Sequence, residues 1–192
     1  MLRRACRALG LAVVALAAAA PGIPQSARVL AQGTVQTQPI DPFGQDVTLP
    51  EKTIVYTTGS GSWDTAYDTL KEAFKTLQDY LDKEKLTAAG PALTIYTAMD
   101  DVSFNFQAAV PLASAPTTPQ GNIGTGTSPG GKALKFVHRG SFDSMTATYD
   151  TISHFVEEKQ IASKELLIEE YMTDILKTEP DKLVINIFVP ID

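Results

Sequence analysis

The chain has 192 residues, enough for one domain with a sizeable apolar core. Its 16 basic and 22 acidic residues give a formal net charge of −6. This charge disfavours binding to nucleic acid or to an anionic membrane, because both require a basic surface. Cys6 is the single cysteine, which excludes an internal disulfide and a multi-cysteine metal site.

Residues 1–31 have the layout of a secretory signal peptide. Arginines precede an apolar run at 8–20, and small residues follow it. The run is short for a membrane span, which takes about 20 apolar residues, so an uncleaved anchor is the less favoured alternative. Val29 and Ala31 predict cleavage before Gln32, with a competing site at the end of the apolar run.

Cleavage before Gln32 would remove Cys6, four arginines and no acidic residue, and would change the formal charge from −6 to −10. The sequence therefore predicts a periplasmic or secreted protein with no membrane span after cleavage. It also predicts no metal and no cofactor, since His138 and His154 are the only histidines. We expect His138 to have a structural role at a strand-to-helix turn and His154 to lie on the surface.

Two low-complexity segments divide the rest of the chain. Residues 32–52 are polar and contain proline, which predicts an extended lead-in with a short strand at 46–49. Residues 113–132 are rich in Pro, Gly, Thr and Ser and predict a linker with a short strand near 123–127. The two segments bracket two blocks, 53–112 and 133–192.

Each block contains a segment with the apolar spacing of an amphipathic helix. Seven apolar positions of the first helix recur in the second at a constant offset of 75 residues. These positions are Tyr67, Leu70, Phe74, Leu77, Tyr80, Leu81 and Leu86, which match Phe142, Met145, Tyr149, Ile152, Phe155, Val156 and Ile161. The same offset relates Asp68 to Asp143 and Tyr96 to Tyr171. A constant offset of this kind predicts an internal duplication.

Segments rich in β-branched and aromatic residues flank both helices. TIVYT and ALKFV precede the helices, and FNFQAAVPL and LVINIFVPI close the blocks. Each block therefore reads βαββ. The predicted fold class is α+β: duplicated βαββ modules with pseudo-twofold symmetry, an antiparallel sheet, two main helices and a central groove. In LVINIFVPI, Asn186 places a lone amide on one of two largely apolar faces.

These motifs resemble the GyrI-like small-molecule-binding domain, the effector-binding domain of AraC-type and multidrug-responsive regulators. The resemblance rests on the turn HRGSF, the aromatic helix after it, the strand IEEYMT and the closing strand LVINIFVPI. Residues 53–112 resemble the first half of the same domain. The resemblance implies a central groove that binds hydrophobic, often cationic, small molecules.

The predicted ligand contacts are Trp63, Tyr67, Tyr96, Gln107, Phe142, Tyr149, Tyr171, Asn186 and Phe188. The resemblance implies Phe142, Tyr149, Tyr171 and the place of Asn186 among them. Family members often have a groove-facing Glu at the place of Asn186, and the matching place in the first block is Gln107. Two amides offer hydrogen bonds without charge, so the sequence favours a hydrophobic or neutral-polar ligand over a cation.

Trp63 lies in a Gly- and Ser-rich stretch between Tyr56 and Tyr67. We interpret this stretch as a long loop in which Trp63 is either a lid over the groove or a hydrophobic staple on the helix start. Tyr96 and Tyr171 are favoured as ligand contacts because a phenol combines apolar area with a hydrogen-bonding tip.

The predicted function is an exported small-molecule-binding protein that has no nucleic-acid partner. One alternative is a groove hydrolase acting on strained or lipophilic molecules, with Glu169 or Glu170 as its acid. These neighbours would point to opposite faces of a strand, so at most one could reach the groove. A second alternative is a macromolecular interaction module without a ligand.

Overall fold

The computed structural model describes residues 42–116 and 121–192, which belong to one compact unit, Pro39–Asp192. The predicted signal peptide and residues 32–41 of the lead-in lie outside the described residues. The helices are α1 (Ala66–Glu84) and α2 (Met145–Glu158). The strands are β1 (Gln45–Leu49), β2 (Thr53–Ser62), β3 (Ala92–Met99), β4 (Ser103–Pro111), β5 (Gly124–Thr127), β6 (Gly131–Gly140), β7 (Leu167–Tyr171) and β8 (Leu183–Pro190).

The eight strands form one antiparallel sheet in the order β1-β6-β8-β7-β3-β4-β2-β5. The order β2-β4-β3 of the first block mirrors β6-β8-β7 of the second, and the blocks meet where β3 pairs with β7. The predicted α+β class with two main helices is therefore confirmed. The internal duplication itself stays a prediction, because what matches between the two blocks is the order of their strands in the sheet.

The two edge strands are exchanged between the blocks. β1 precedes β2 but pairs with β6, whereas β5 precedes β6 but pairs with β2. The connecting segments 50–52 and 128–130 meet, because the Lys52 amide donates to Ser128 Oγ at 3.0 Å and the Ser128 amide donates to the Lys52 carbonyl at 2.8 Å. Each block is thus completed by a strand that the sequence attaches to the other block.

Both helices pack on one face of the sheet, which we call the front face. All fourteen matched apolar positions of the two helices belong to the front-face core or pack against it. The prediction of two amphipathic helices from the apolar spacing is confirmed. The helices differ in depth: α1 buries six residues, whereas α2 buries only Met145 and Ile152.

The other face, which we call the back face, carries its own apolar cluster. Its buried members are Ile54, Leu93, Ile95, Ala109, Ala133, Ile168 and Phe188. Strand β8 contributes to both faces, with Ile185 and Ile187 in the front core and Phe188 in the back cluster. The expectation that this strand is buried on both faces is confirmed.

The Gly- and Ser-rich stretch before Trp63 is a strand, which corrects the predicted loop. Strand β2 continues to Ser62 and pairs with β4 along its whole second half. A Cβ added at Gly59 would lie 2.7 Å from the Phe106 ring, so glycine is required where that ring packs on the strand. The interpretation of this stretch as a long loop is therefore wrong.

His138 fixes the turn between β6 and α2. Its Nε2 lies 3.0 Å from the Ser141 carbonyl and its Nδ1 lies 2.8 Å from Thr148 Oγ1. A carbonyl only accepts, so Nε2 carries the proton and Nδ1 accepts from the threonine. Burial lowers the pKa of His138 and favours this neutral form. The predicted structural role of His138 and the surface position of His154 are confirmed.

Within the described residues, no helix combines the length and the apolar character that crossing a membrane requires.

Candidate functional site

A cavity of about 920 Å³ lies on the front face between α2, the first turn of α1 and the sheet. We call it the main cavity. Seven residues of α2 line it, including Tyr149, Ile152 and Val156, against three from the start of α1. This explains why α2 buries fewer residues than α1: its inward side faces open space over part of its length.

Aromatic rings form much of the cavity lining. The Trp63 ring lies 5.8 Å from the Tyr96 ring and 4.6 Å from the Phe104 ring, measured between centroids. Trp63 Nε1 donates to the Asp100 carbonyl at 2.8 Å. Tyr67 and Phe142, which the offset of 75 residues pairs, contact each other with centroids 5.2 Å apart. Trp63 is thus held on a short 3-10 helix by packing against two rings and by a hydrogen bond.

A buried carboxylate lies directly behind this aromatic lining. Glu169 is fully buried; its Oε1 accepts a hydrogen bond from the Tyr149 hydroxyl, and its Oε2 accepts one from the Tyr171 hydroxyl at 2.5 Å. The Tyr171 oxygen also lies 3.1 Å from Thr94 Oγ1. Because the Tyr171 hydroxyl donates its hydrogen bond to Glu169, Thr94 is the donor in that contact. Both carboxylate oxygens are therefore satisfied without water.

Burial determines the protonation of this cluster. It raises the pKa of Glu169, and the tyrosine hydrogen bonds oppose that rise by favouring the carboxylate. Burial, and then the charge of Glu169, raise the pKa values of Tyr96, Tyr149 and Tyr171 well above the usual value. The three phenols remain neutral and act as hydrogen-bond donors around one acid.

The Tyr96 hydroxyl is buried and faces this cluster, within electrostatic reach of Glu169 and Tyr149. Hydrogen bonding with Glu169 and Tyr149 contributes to its raised pKa, but no contact to an atom of the described residues has full hydrogen-bond geometry, and the same holds for the Tyr67 and Tyr80 hydroxyls. Tyr67 and Tyr96 line the main cavity. Two buried hydroxyls without a partner next to open space indicate where a bound molecule can supply hydrogen bonds.

The cavity lining is strongly acidic. Lys164 is the one basic residue that lines it among the described residues, against six acids. These acids are Asp64, Asp68, Asp100, Asp101, Asp143 and Asp150. Hydrogen bonds from the Val102 and Ser103 amides lower the pKa of Asp100 and keep it ionised. The net charge of the lining favours a positively charged molecule.

The structure brings together five of the nine predicted site residues in the lining of the main cavity: Trp63, Tyr67, Tyr96, Phe142 and Tyr149. Tyr171 lies behind them, with its hydroxyl bound to Glu169. The role of these six as ligand contacts stays a prediction.

Gln107, Asn186 and Phe188 lie on the back face and do not line the main cavity, so their role as ligand contacts stays a prediction. Asn186 donates to Glu170 at 3.0 Å, and Phe188 packs in the back cluster. The reason is strand alternation: Gln107 and Asn186 each lie between two front-facing neighbours, Phe106 and Ala108 or Ile185 and Ile187. Both amides therefore point away from the helices.

The expectation that at most one of Glu169 and Glu170 reaches the groove side is confirmed. Glu169 is on the front face under Tyr149, and Glu170 is on the back face with Lys52. Sequence reasoning missed the acidic lining. The sequence relates Asp68 and Asp143 only through the offset of 75 residues; each lies in a first helical turn, and both line the cavity.

Comparison with solved structures shows the same fold in proteins of low sequence identity. The EcmrR C-terminal domain matches with a TM-score of 0.62 and 16% identity, over 78% of this chain and 96% of that one. EcmrR in a complex with DNA matches with a TM-score of 0.66 and 17% identity, over 78% of this chain. There the present chain spans only 57% of the EcmrR chain.

A third structure, SAV2435 bound to tetraphenylphosphonium, matches with a TM-score of 0.56 and 14% identity, over 78% of this chain and 93% of that one. No curated protein matches the chain. The sequence itself matches the GyrI-like small molecule binding domain over residues 46–192. The chain belongs to the GyrI-like family of small-molecule-binding domains.

Proposed function

We propose that the main cavity binds a hydrophobic small molecule that carries a positive charge. One observation carries this proposal: an aromatic lining with the buried Glu169 carboxylate behind it and six aspartates around it. The preference for a neutral-polar ligand rested on Asn186 and Gln107. Because both amides point to the back face, that reason no longer applies to this cavity.

The chemistry of the lining supports a cation. Aromatic faces attract cations through their quadrupole, most strongly where the site is desolvated. The Tyr149 hydroxyl donates a hydrogen bond to the Glu169 carboxylate, which adds negative potential behind the Tyr149 ring. The cavity volume of about 920 Å³ lies within the usual range for small-molecule sites. The match to SAV2435, a protein seen with a lipophilic cation, supports the same class of ligand by analogy.

Trp63 provides a direct test, because it lines the cavity and is the only tryptophan of the chain. We expect tetraphenylphosphonium to change Trp63 fluorescence saturably and to bind about tenfold more tightly than the neutral triphenylphosphine oxide. Calorimetry on Trp63→Phe would confirm that binding persists when the reporter is absent. Equal affinity for both probes would contradict the cationic ligand, and no saturable binding of either would favour an interaction module.

Hydrolysis is less well supported than binding. Both oxygens of Glu169 accept tyrosine hydrogen bonds, and Glu169 does not line the main cavity. A general acid must come within hydrogen-bond reach of the reacting group. We therefore propose binding without turnover. Sustained release of product from a lipophilic ester, lost in Glu169→Gln, would reverse this choice.

We also propose that the protein is exported and acts in the periplasm or outside the cell, without a nucleic-acid partner. The support is the sequence pattern of residues 1–31. Mass spectrometry of the protein recovered from an expressing bacterial host should show an N-terminus at Gln32. Recovery of a chain that retains its N-terminal arginines would contradict export by this route.

A further inference from the structure

A second cavity, of about 250 Å³, lies on the back face of the sheet. We call it the back cavity. The connecting segments that meet at Lys52 and Ser128 cover it, and strands β6, β7 and β8 supply Lys135, Glu170 and Asn186. It is separate from the main cavity, because the two share no lining residue and lie on opposite faces of the sheet.

A polar cluster of Lys52, Glu170 and Asn186 occupies part of this cavity. Lys52 Nζ lies 2.9 Å from Glu170 Oε1, and Asn186 Nδ2 donates to Glu170 Oε2 at 3.0 Å. Asn186 is only 6% exposed. Both carboxylate oxygens of Glu170 therefore accept hydrogen bonds, one from Lys52 and one from Asn186. An ammonium group has three donors, so Lys52 keeps donors that can be directed into the cavity.

Lys135 adds a second positive charge to the same lining. Within the part of the chain that the structure describes, its ammonium has no ion-pair or hydrogen-bond partner. With Lys52 and Glu170, the charged side chains of the back cavity sum to +1, whereas the main cavity has six acids and one lysine. The two cavities therefore favour ligands of opposite charge.

Apolar side chains surround the polar cluster. Leu93, Ile168 and Phe188 line the same cavity and belong to the buried back-face cluster. Burying charged and amide groups beside them lowers stability unless every group is paired. Asn186 is buried and the Glu170 side chain is largely buried, whereas Lys135 is half-buried, so a molecule in the cavity can reach the Lys135 ammonium.

We propose that the back cavity binds a small organic anion, a carboxylate on a short apolar body. The Lys135 ammonium and the remaining Lys52 donors contact the carboxylate, and the Asn186 amide contributes a further polar contact. The apolar body packs on Phe188, Leu93 and Ile168. This site is independent of the proposed cation site on the front face.

Benzoate and benzamide form a matched pair of probes, since they share a ring and differ in charge. We expect benzoate to shift the backbone amide resonances of residues 135, 170 and 186 saturably, and benzamide to bind about tenfold more weakly. Lys135→Ala should weaken benzoate binding about tenfold. Lys75→Ala is the control, because it removes the same charge from an exposed ion pair on α1.

Two variants separate this site from the main cavity. Glu169→Gln and Trp63→Phe should leave benzoate binding unchanged, whatever they do to a cationic probe. The proposal is overturned if benzoate shows no saturable shifts, if Lys135→Ala and Lys75→Ala have equal effects, or if the shifts map to the main cavity. None of these outcomes depends on whether tetraphenylphosphonium binds.

Discussion

Replacing Glu169 by Gln is expected to weaken the binding of tetraphenylphosphonium by about thirtyfold. A unit charge about 8 Å away contributes about 2 kcal/mol at an effective dielectric constant of about 20, which corresponds to that factor. Gln keeps an acceptor for one of the two tyrosine hydroxyls that now bind Glu169 and is nearly isosteric. Calorimetric titration of both proteins with tetraphenylphosphonium measures the difference directly.

The same substitution should remove a dependence of binding on pH. Burial raises the pKa of Glu169, so the neutral acid forms at a higher pH than for an ordinary glutamate. Tyr96, Tyr149 and Tyr171 surround it, and their own pKa values are raised well above the usual value, so they stay neutral. We expect affinity for the cation to fall as the pH falls through the raised pKa, and this step to be absent in Glu169→Gln.

The effect of Glu169 on stability has the opposite sign. A carboxyl with a raised pKa binds its proton more tightly in the folded state, so the free energy of unfolding decreases as the pH rises from the ordinary value through the raised one. Glu169→Gln should reduce this decrease while it weakens cation binding. Loss of binding together with a flatter stability profile would therefore distinguish loss of charge from general unfolding.

Glu170→Gln is the matched control for the cation experiment. It makes the same change of charge at the neighbouring residue, whose side chain lies on the back face with Lys52. We expect the affinity for tetraphenylphosphonium to change far less than in Glu169→Gln. Equal losses of affinity in the two variants would show that only the overall charge of the protein matters. Glu169 would then have no specific role in binding the cation.

The helices could be predicted well because the spacing of their apolar residues is visible in the local sequence. That spacing already defines the helix face that packs on the sheet. All fourteen predicted positions lie in or against the front core. The short strands near 46–49 and 123–127 also exist, as β1 and β5. Their exchange between blocks could not be predicted, because a strand pattern says nothing about which partner completes its hydrogen bonds.

The site was predicted less well for a physical reason. Alternation along LVINIFVPI correctly separates Asn186 and Phe188 from Ile185 and Ile187, but it does not say which side faces the helices. Glu169 and Tyr171 are two residues apart on one strand, so their side chains share a face of the sheet. Since Tyr171 was predicted to face the groove, the same alternation places Glu169 on the groove side and Glu170 on the opposite side. The acidic lining depends on how two helix starts approach each other, which no local pattern encodes.

The exchanged edge strands tie the two blocks into one folding unit. β1 completes the second block and β5 completes the first, so neither block retains its full sheet when the other unfolds. Phe136 of β6 is fully buried and lies in the second block, whereas Trp63 follows β2 in the first. Phe136→Ala is expected to lower the free energy of unfolding by about 3–5 kcal/mol, as for other buried Phe truncations.

Because the blocks unfold together, Trp63 fluorescence and far-ultraviolet circular dichroism should report the same shift of the urea midpoint, with an unchanged slope. Phe43→Ala is the control. Its ring lies 4.8 Å from that of Phe136, but Phe43 is 49% exposed, so a loss of about 1 kcal/mol is expected. A Trp63 transition that stays at the wild-type midpoint in Phe136→Ala would show that the first block folds independently, and that strand exchange does not couple the halves.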